Sequence, residues 1–207
     1  MLSSLLAESL AIASPEPALI ELESSLAEIL PSADDRVAEG IRKSVGVNFG
    51  TRLLTGGYRI WPVDMAIPMN LRQAAVEVFA FDALIENPDR RYDNPNILWR
   101  DEQMFVIDHE SAFSFIYAIG GHSEPWNLED AVFLRNHVFY RALKGGKVET
   151  DRFAGALAAL SDEAITGVEN SALPEWKNEH LTRILQHLRS VRDHTAEFAE
   201  QVKRRLA

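Results

Sequence analysis

The chain has 207 residues, enough for one domain or two tightly packed lobes with a substantial core, and its 46% hydrophobic and 25% charged content is that of an ordinary globular protein. A formal net charge of −10 offers no basic stripe to meet phosphates and argues against a nucleic-acid-binding surface, and the lack of cysteine excludes disulfides and thiolate metal sites. No apolar run approaches a membrane span, and Met1–Ala13 contains Glu8 and no basic leader, so a cytoplasmic protein that meets no membrane is expected.

In chain order, Ser4–Ala13 reads as a helix with Leu5, Leu6, Ser9, Leu10 and Ala13 on one side, broken at Pro15. Ala18–Leu22 reads as a short strand. Ser24–Leu30 and Asp34–Lys43 are short and either helical or irregular. Val45–Leu54 with Gly56-Gly57 reads as a strand and a turn. Met69–Glu86 keeps a helical period through Leu71, Ala74, Ala75, Val78, Phe79 and Ala83, and its apolar breadth predicts a buried helix. Pro88 ends that helix and pushes Asn87 out of helical geometry. Ile97–Trp99 and Met104–Ile107 flank the polar turn Arg100–Gln103 and predict a β-hairpin running directly into Asp108. Ala112–Ile119 is an aromatic, apolar stretch that closes at Gly120-Gly121.

Beyond Trp126 every signal is helical. Asn127 with Asp130 predicts an N-cap and a helix reaching Gly145-Gly146. Two shorter helices follow, Asp151–Leu160 and Ser161–Val168. Pro174 then precedes one long amphipathic helix, Glu175–Leu206, with Leu181, Ile184, Leu185, Leu188, Val191, Phe198 and Val202 on its buried stripe. The basic cluster Lys203-Arg204-Arg205 at its end complements the helix dipole. Strand signals before residue 110 and helices after it define an α+β protein with a helical lobe and a small β element at its edge.

The chemistry is concentrated between Asp82 and Asp108. An apolar helix ends, a polar loop carries Asp89 and, five residues on, Asn94, and a hairpin then delivers Asp108. Phosphoryl transfer needs a carboxylate to orient the acceptor hydroxyl, and an Asn and a second carboxylate to hold Mg²⁺ against the phosphates. The structural alternative is plain: Asp and Asn cap helices and build turns, and an isolated D-x4-N is more often structural than catalytic. Two features favour chemistry here. Asp108 ends an apolar strand, where folding does not need a carboxylate, and Asp93 adds a third Asp or Asn to one short loop.

The order of these features resembles the helical lobe of the protein-kinase-like superfamily, and most closely the HipA-like kinases, bacterial serine/threonine kinases distantly related to phosphoinositide kinases. Leu6–Pro17 (L-A-E-S-L-A-I-A-S-P-E-P) is similar to that family's "LGLPVPEP" stretch, departing at Ala13 and Ser14. Asn48–Gly57 (N-F-G-T-R-L-L-T-G-G) resembles its "FGSR" segment and glycine pair, and Phe81–Asn96 with Val106–Phe113 resembles its catalytic loop and metal-binding strand end. The resemblance implies a protein-kinase-like fold in one domain. Residues 1–62 would be a remnant of the small lobe and hinge, and 63–207 a mostly helical catalytic lobe. It implies transfer of the ATP γ-phosphate to a hydroxyl, with Asp89 catalytic, Asn94 and Asp108 binding Mg²⁺ and cofactor, and protein Ser/Thr as acceptor. Arg91 stands where the family's D-R-H loop has its His. Arg90 or Arg91 would neutralise charge on the phosphoryl group, the alternative being a surface salt bridge. Asn96 competes with Asn94 as metal ligand, and the spacing favours Asn94.

Ile107-Asp108-His109-Glu110 also resembles the "I-D-W-E" of aminoglycoside phosphotransferases, so a small-molecule acceptor is the variant reading. The family's phosphate-covering strands and their Lys belong ahead of Leu6–Pro17. This chain begins partway along that helix, without a Gly-rich loop or a V-A-x-K-like strand, and Lys43 has no strand flanks. The resemblance therefore also implies a truncated N-terminal lobe, with a silent kinase-like module or a second chain supplying the small lobe as alternatives. Exposed apolar residues on Met1–Ala13 and Ala18–Leu22 would mark the latter. The six His show no ligand spacing, and His187 and His194 are expected to face solvent.

Overall fold

The computed structural model describes residues 1–29, 35–117 and 124–207. Leu30, Asp34, residues 118 and 119, Gly120-Gly121 and His122, which figure in the sequence reading, lie outside the described residues. The N-terminal part runs α1 (Leu2–Ser9), β1 (Pro17–Leu22), α2 (Ser24–Ile29), α3 (Asp35–Lys43) and β2 (Gly46–Thr51). β1 and β2 pair antiparallel, with Leu19 opposite Phe49 and Glu21 opposite Val47. Among the described residues no third strand joins them. Leu19 and Ile20 are 51% and 44% exposed, so this two-stranded sheet has little apolar cover.

β3 (Arg59–Ile60), which the sequence pattern does not show, pairs with β4 (Ile97–Arg100), and β4 pairs with β5 (Gln103–Val106) in the predicted hairpin, register Ile97 to Val106. Between β3 and β4 lie a 3₁₀ turn, Met69–Leu71, and α4 (Arg72–Leu84). Every residue from Ala75 to Leu84 is buried. A helix apolar on all sides must be enclosed, and the charged Glu77 and Asp82 within it must then find partners. Glu77 is met by the Nε of Arg152 at 2.6 Å.

Among the described residues five α-helices follow: α5 (Tyr140–Leu143), α6 (Asp151–Ala158), α7 (Asp162–Asn170), α8 (Glu179–Asp193) and α9 (Thr195–Leu206). Of these, α5 and α9 pack on α4, while α7 packs on α1 and α8 in a smaller cluster around Ile165, Leu181 and Leu185. One core cluster runs from Leu6 through α4 to Leu206. α7 is capped by the Ser161 hydroxyl and α8 by the Asn178 side chain. No helix among the described residues is long and apolar enough to cross a membrane.

Four expectations are corrected. α1 ends at Ser9: Leu6 and Leu10 are buried as expected, but Ser9 and Ala13 are exposed and Ser3, Ser4 and Ala7 turn inward, with Leu6 and Ala7 in the central core cluster. The helix expected after Asn127 does not form: Asn127 Oδ1 accepts the Glu129 amide in a local turn, and only a 3₁₀ segment, Val132–Asn136, precedes the four-residue α5. His137 at its end is extended and bridges to Arg91, with its ring drawn into the core, and this breaks the helix. The long C-terminal helix is two, broken at His194, whose ring stacks on Trp126 at 3.6 Å; its apolar stripe is buried as expected. His187 does not face solvent. It is buried, hydrogen-bonded through Nε2 to the Leu84 carbonyl at 2.7 Å and stacked on Phe115.

Candidate functional site

The site begins where α4 stops. Glu86 adopts φ +43°, and the Asn87 amide reaches back to the Asp82 carbonyl at 3.0 Å, closing the helix before Pro88. The turn delivers Asp89, whose Oδ2 accepts from the Asn94 Nδ2 at 2.9 Å and the Asn96 Nδ2 at 3.3 Å. Asp89 Oδ1 lies 3.4 Å from the Arg91 Nη1, and the Arg91 Nε donates to Asp93 at 3.0 Å. Arg91 is thus a half-exposed surface cation bridging two carboxylates. Asn94 and Asn96 both contact Asp89, which leaves the Asn94 Oδ1 without a partner among the described residues.

Asp108 follows β5 by two residues. It is exposed, holds φ +51°, and accepts the Glu110 amide at 3.4 Å. A non-glycine residue in the left-handed region costs about 1–3 kcal/mol and persists only where its surroundings impose it. They do so from both sides. Ile107 donates to the Asn96 carbonyl at 3.0 Å, and beyond Asp108 the Phe113 amide and Ser114 hydroxyl bond the Ile85 and Glu86 carbonyls. Asp108 opens on a cleft of about 390 Å³ whose other walls include Phe49, Gly50 and Thr51 of β2 and Pro15. Asp89 and Asn94 do not line that cleft. Lys43 is on the surface, paired with Glu39 at 2.8 Å.

Arg90 is not the surface cation of the sequence reading. Its side chain is 0% exposed and paired to an equally buried Asp82, Nε to Oδ2 2.5 Å. Its Nη1 donates to the Asn96 carbonyl at 2.5 Å and the Ile107 carbonyl at 3.1 Å. Asp82 also accepts from Asn87 Nδ2 at 3.0 Å and from His137 Nε2 at 3.0 Å. The Phe139 amide donates to His137 Nδ1, which assigns the ring proton to Nε2, facing Asp82. Burial by itself would raise the Asp82 pKa. The Arg90 charge, with His137 adding a hydrogen bond, outweighs it and holds the carboxyl down at about 2.

Sequence reasoning missed Asp82, Asn87 and His137. A lone Asp inside F-A-F-D-A-L-I was a usable signal, since a charge in an all-apolar helix requires a partner. His137 carried none.

The buried imidazoles give a pH prediction. Burial lowers the His137 pKa against the pull of Asp82. It also takes His109, edge-on to Phe81 and further opposed by the Arg90 charge, down to about 4. The unfolded chain, with His near 6.5, binds more protons than the folded one, so stability is full above pH 6.5 and falls as the pH drops. His109 alone removes on the order of 3 kcal/mol by pH 4. Asp82 contributes loss only below pH 4, where the unfolded carboxyl protonates first. Melting temperatures of the ligand-free protein at pH 7.5, 6.0 and 4.5 should decline steadily, and a flat profile would contradict a buried His137 and a half-buried His109 that are both neutral.

A family model for the HipA-like kinases matches residues 1–153, a span that contains Asp82, Asp89, Asn94, Asp108 and His137. The chain belongs to the HipA-like kinase family, and that membership points to phosphotransferase activity. No curated protein and no solved structure matches the chain.

Proposed function

We propose that this chain transfers the γ-phosphate of ATP to a hydroxyl acceptor, in the first instance a protein Ser/Thr side chain, with Mg²⁺ as cofactor. One observation carries the reading. The Asp89–Asn94 loop and the segment ending in Asp108 are joined by the Ile107–Asn96 and Arg90 hydrogen bonds, so a D-x4-N loop and a strand-end Asp act as one unit. Asp89 then accepts the acceptor hydroxyl's proton as its oxygen attacks the γ-phosphorus and the bond to the β-phosphate oxygen breaks, releasing ADP. The donors suit Mg²⁺, a hard cation that takes one or two protein oxygens and completes its shell with phosphates and water: the unpartnered Asn94 Oδ1 and the exposed Asp108 carboxylate. Among the described residues no cluster of three or more His, Cys, Asp or Glu competes for a metal. When bound, the ion neutralises charge on the phosphate oxygens. Arg91, half-exposed beside Asp89, meets charge on the transferred group in this reading.

Calorimetric titration of Mg²⁺–ATP tests the reading. Binding should require Mg²⁺ and weaken by about 2 kcal/mol in Asp108→Asn. No heat from the wild type would overturn the stand-alone kinase. It would leave a catalytically silent module or one completed by another chain; the exposed Leu19, Ile20 and Val47 of the β1–β2 sheet favour the latter, although α1 buries its own apolar face.

A further inference from the structure

We infer that Arg90 is a positioning residue: held by Asp82, which His137 and Asn87 fix in turn, it sets the spacing between the Asp89–Asn94 loop and Asp108. This rests on the reading of those three residues as the reacting and metal-binding set. With its side chain fully enclosed, the Arg90 guanidinium cannot reach a phosphate in the open cleft, so direct charge neutralisation is not its task. Its geometry serves another. Nε is fixed to the Asp82 carboxylate, and Nη1 is shared between two backbone carbonyls, one in the loop (Asn96) and one immediately before Asp108 (Ile107).

Both carbonyls belong to turns that are strained nearby, since Asn96 has φ +48° and Asp108 φ +51°. A planar fork that presents several N–H donors at fixed angles can hold two carbonyls and a carboxylate together, and a lysine ammonium cannot reproduce that geometry. The Asp82 carboxylate is in turn fixed by donors from three places: Asn87 at the end of α4, Arg90 in the loop, and His137, which leaves its own helical course to reach it. Buried ion pairs gain little stability over apolar replacements, so the return here is register between two segments.

Amide hydrogen exchange, with Mg²⁺–ATP titration alongside, tests this on wild type, Arg90→Lys and, as a control, Arg152→Ala, which cuts a different contact to α4. In Arg90→Lys, exchange in residues 87–97 and 103–109 should rise about tenfold or more. The Mg²⁺ required for half-maximal nucleotide binding should rise with it, while Arg152→Ala leaves both segments as in wild type. Unchanged exchange in those two segments overturns the inference, as does an equal rise across α6 and α9, which marks general loosening. If the wild type takes up no Mg²⁺–ATP and Arg90→Lys still loosens both segments, the positioning role stands and the kinase reading falls. Should Arg90→Lys fail to fold, the double variant Asp82→Asn with Arg90→Gln removes both charges together and carries the same exchange test.

Discussion

Asp89→Asn is expected to lower the rate of phosphoryl transfer by about 10²–10⁴-fold, the usual contribution of a positioned base, with the KM for ATP unchanged. The substitution keeps the side chain's size and an oxygen for the Asn94 and Asn96 amides, which now meet at the Asp89 Oδ2. What it removes is the acceptor's proton sink, an interaction that matters only as the hydroxyl attacks. kcat and kcat/KM should therefore fall together, whereas Asp108→Asn should act first on Mg²⁺-dependent binding. Incorporation of radiolabelled γ-phosphate from ATP into an acceptor peptide measures the first, and its dependence on Mg²⁺ concentration the second. A loss smaller than about tenfold in Asp89→Asn would remove Asp89 from the role of base.

Asp82→Leu should cost about 3–5 kcal/mol, the range seen when one partner of a buried pair is removed. The variant is close in volume but strands the guanidinium of a fully enclosed Arg90 and leaves the His137 and Asn87 donors unmatched. Against a total stability of about 5–15 kcal/mol, the melting temperature should drop by about 10 °C or more. Adding Arg90→Met should restore most of the loss, because two apolar side chains pack where an orphaned charge cannot. Cutting the exposed Lys43–Glu39 pair by Lys43→Ala should leave the melting temperature unchanged. An Asp82→Leu protein that melts with the wild type would show that the pair is not buried in solution.

The elements most legible in the sequence were those whose reason for forming is local. The apolar run of α4, the breaker Pro88 and the polar turn between β4 and β5 are each written within a few residues, and all appear where they were expected. The N-terminal helix was found with its buried face displaced toward Ser3, Ser4 and Ala7, since that face is chosen by a core assembled from distant parts of the chain. The helix expected after Asn127 failed for the same kind of reason. Its sequence satisfies local rules, but the His137 ring finds a better partner in Asp82, 55 residues away. His194 likewise interrupts a good amphipathic pattern to stack on Trp126.

The candidate site divides in the same way. The sequence singles out Asp89, Asn94 and Asp108 because loop, hairpin and strand end follow one another in order; Asp89 and Asn94 share a hydrogen bond, while Asp108 opens on a cleft that neither of them lines. The roles of Arg90 and Arg91 could not. Adjacent arginines in a polar loop look alike, yet one is enclosed against Asp82 and the other lies on the surface between Asp89 and Asp93. By itself the sequence determined the α+β class, the buried central helix and the order in which three oxygen-bearing side chains are delivered. Only the tertiary structure decided which charges are buried, where the long helices break and what holds the two loops in register. Burial depends on what arrives from distant parts of the chain, and local periodicity carries no record of it.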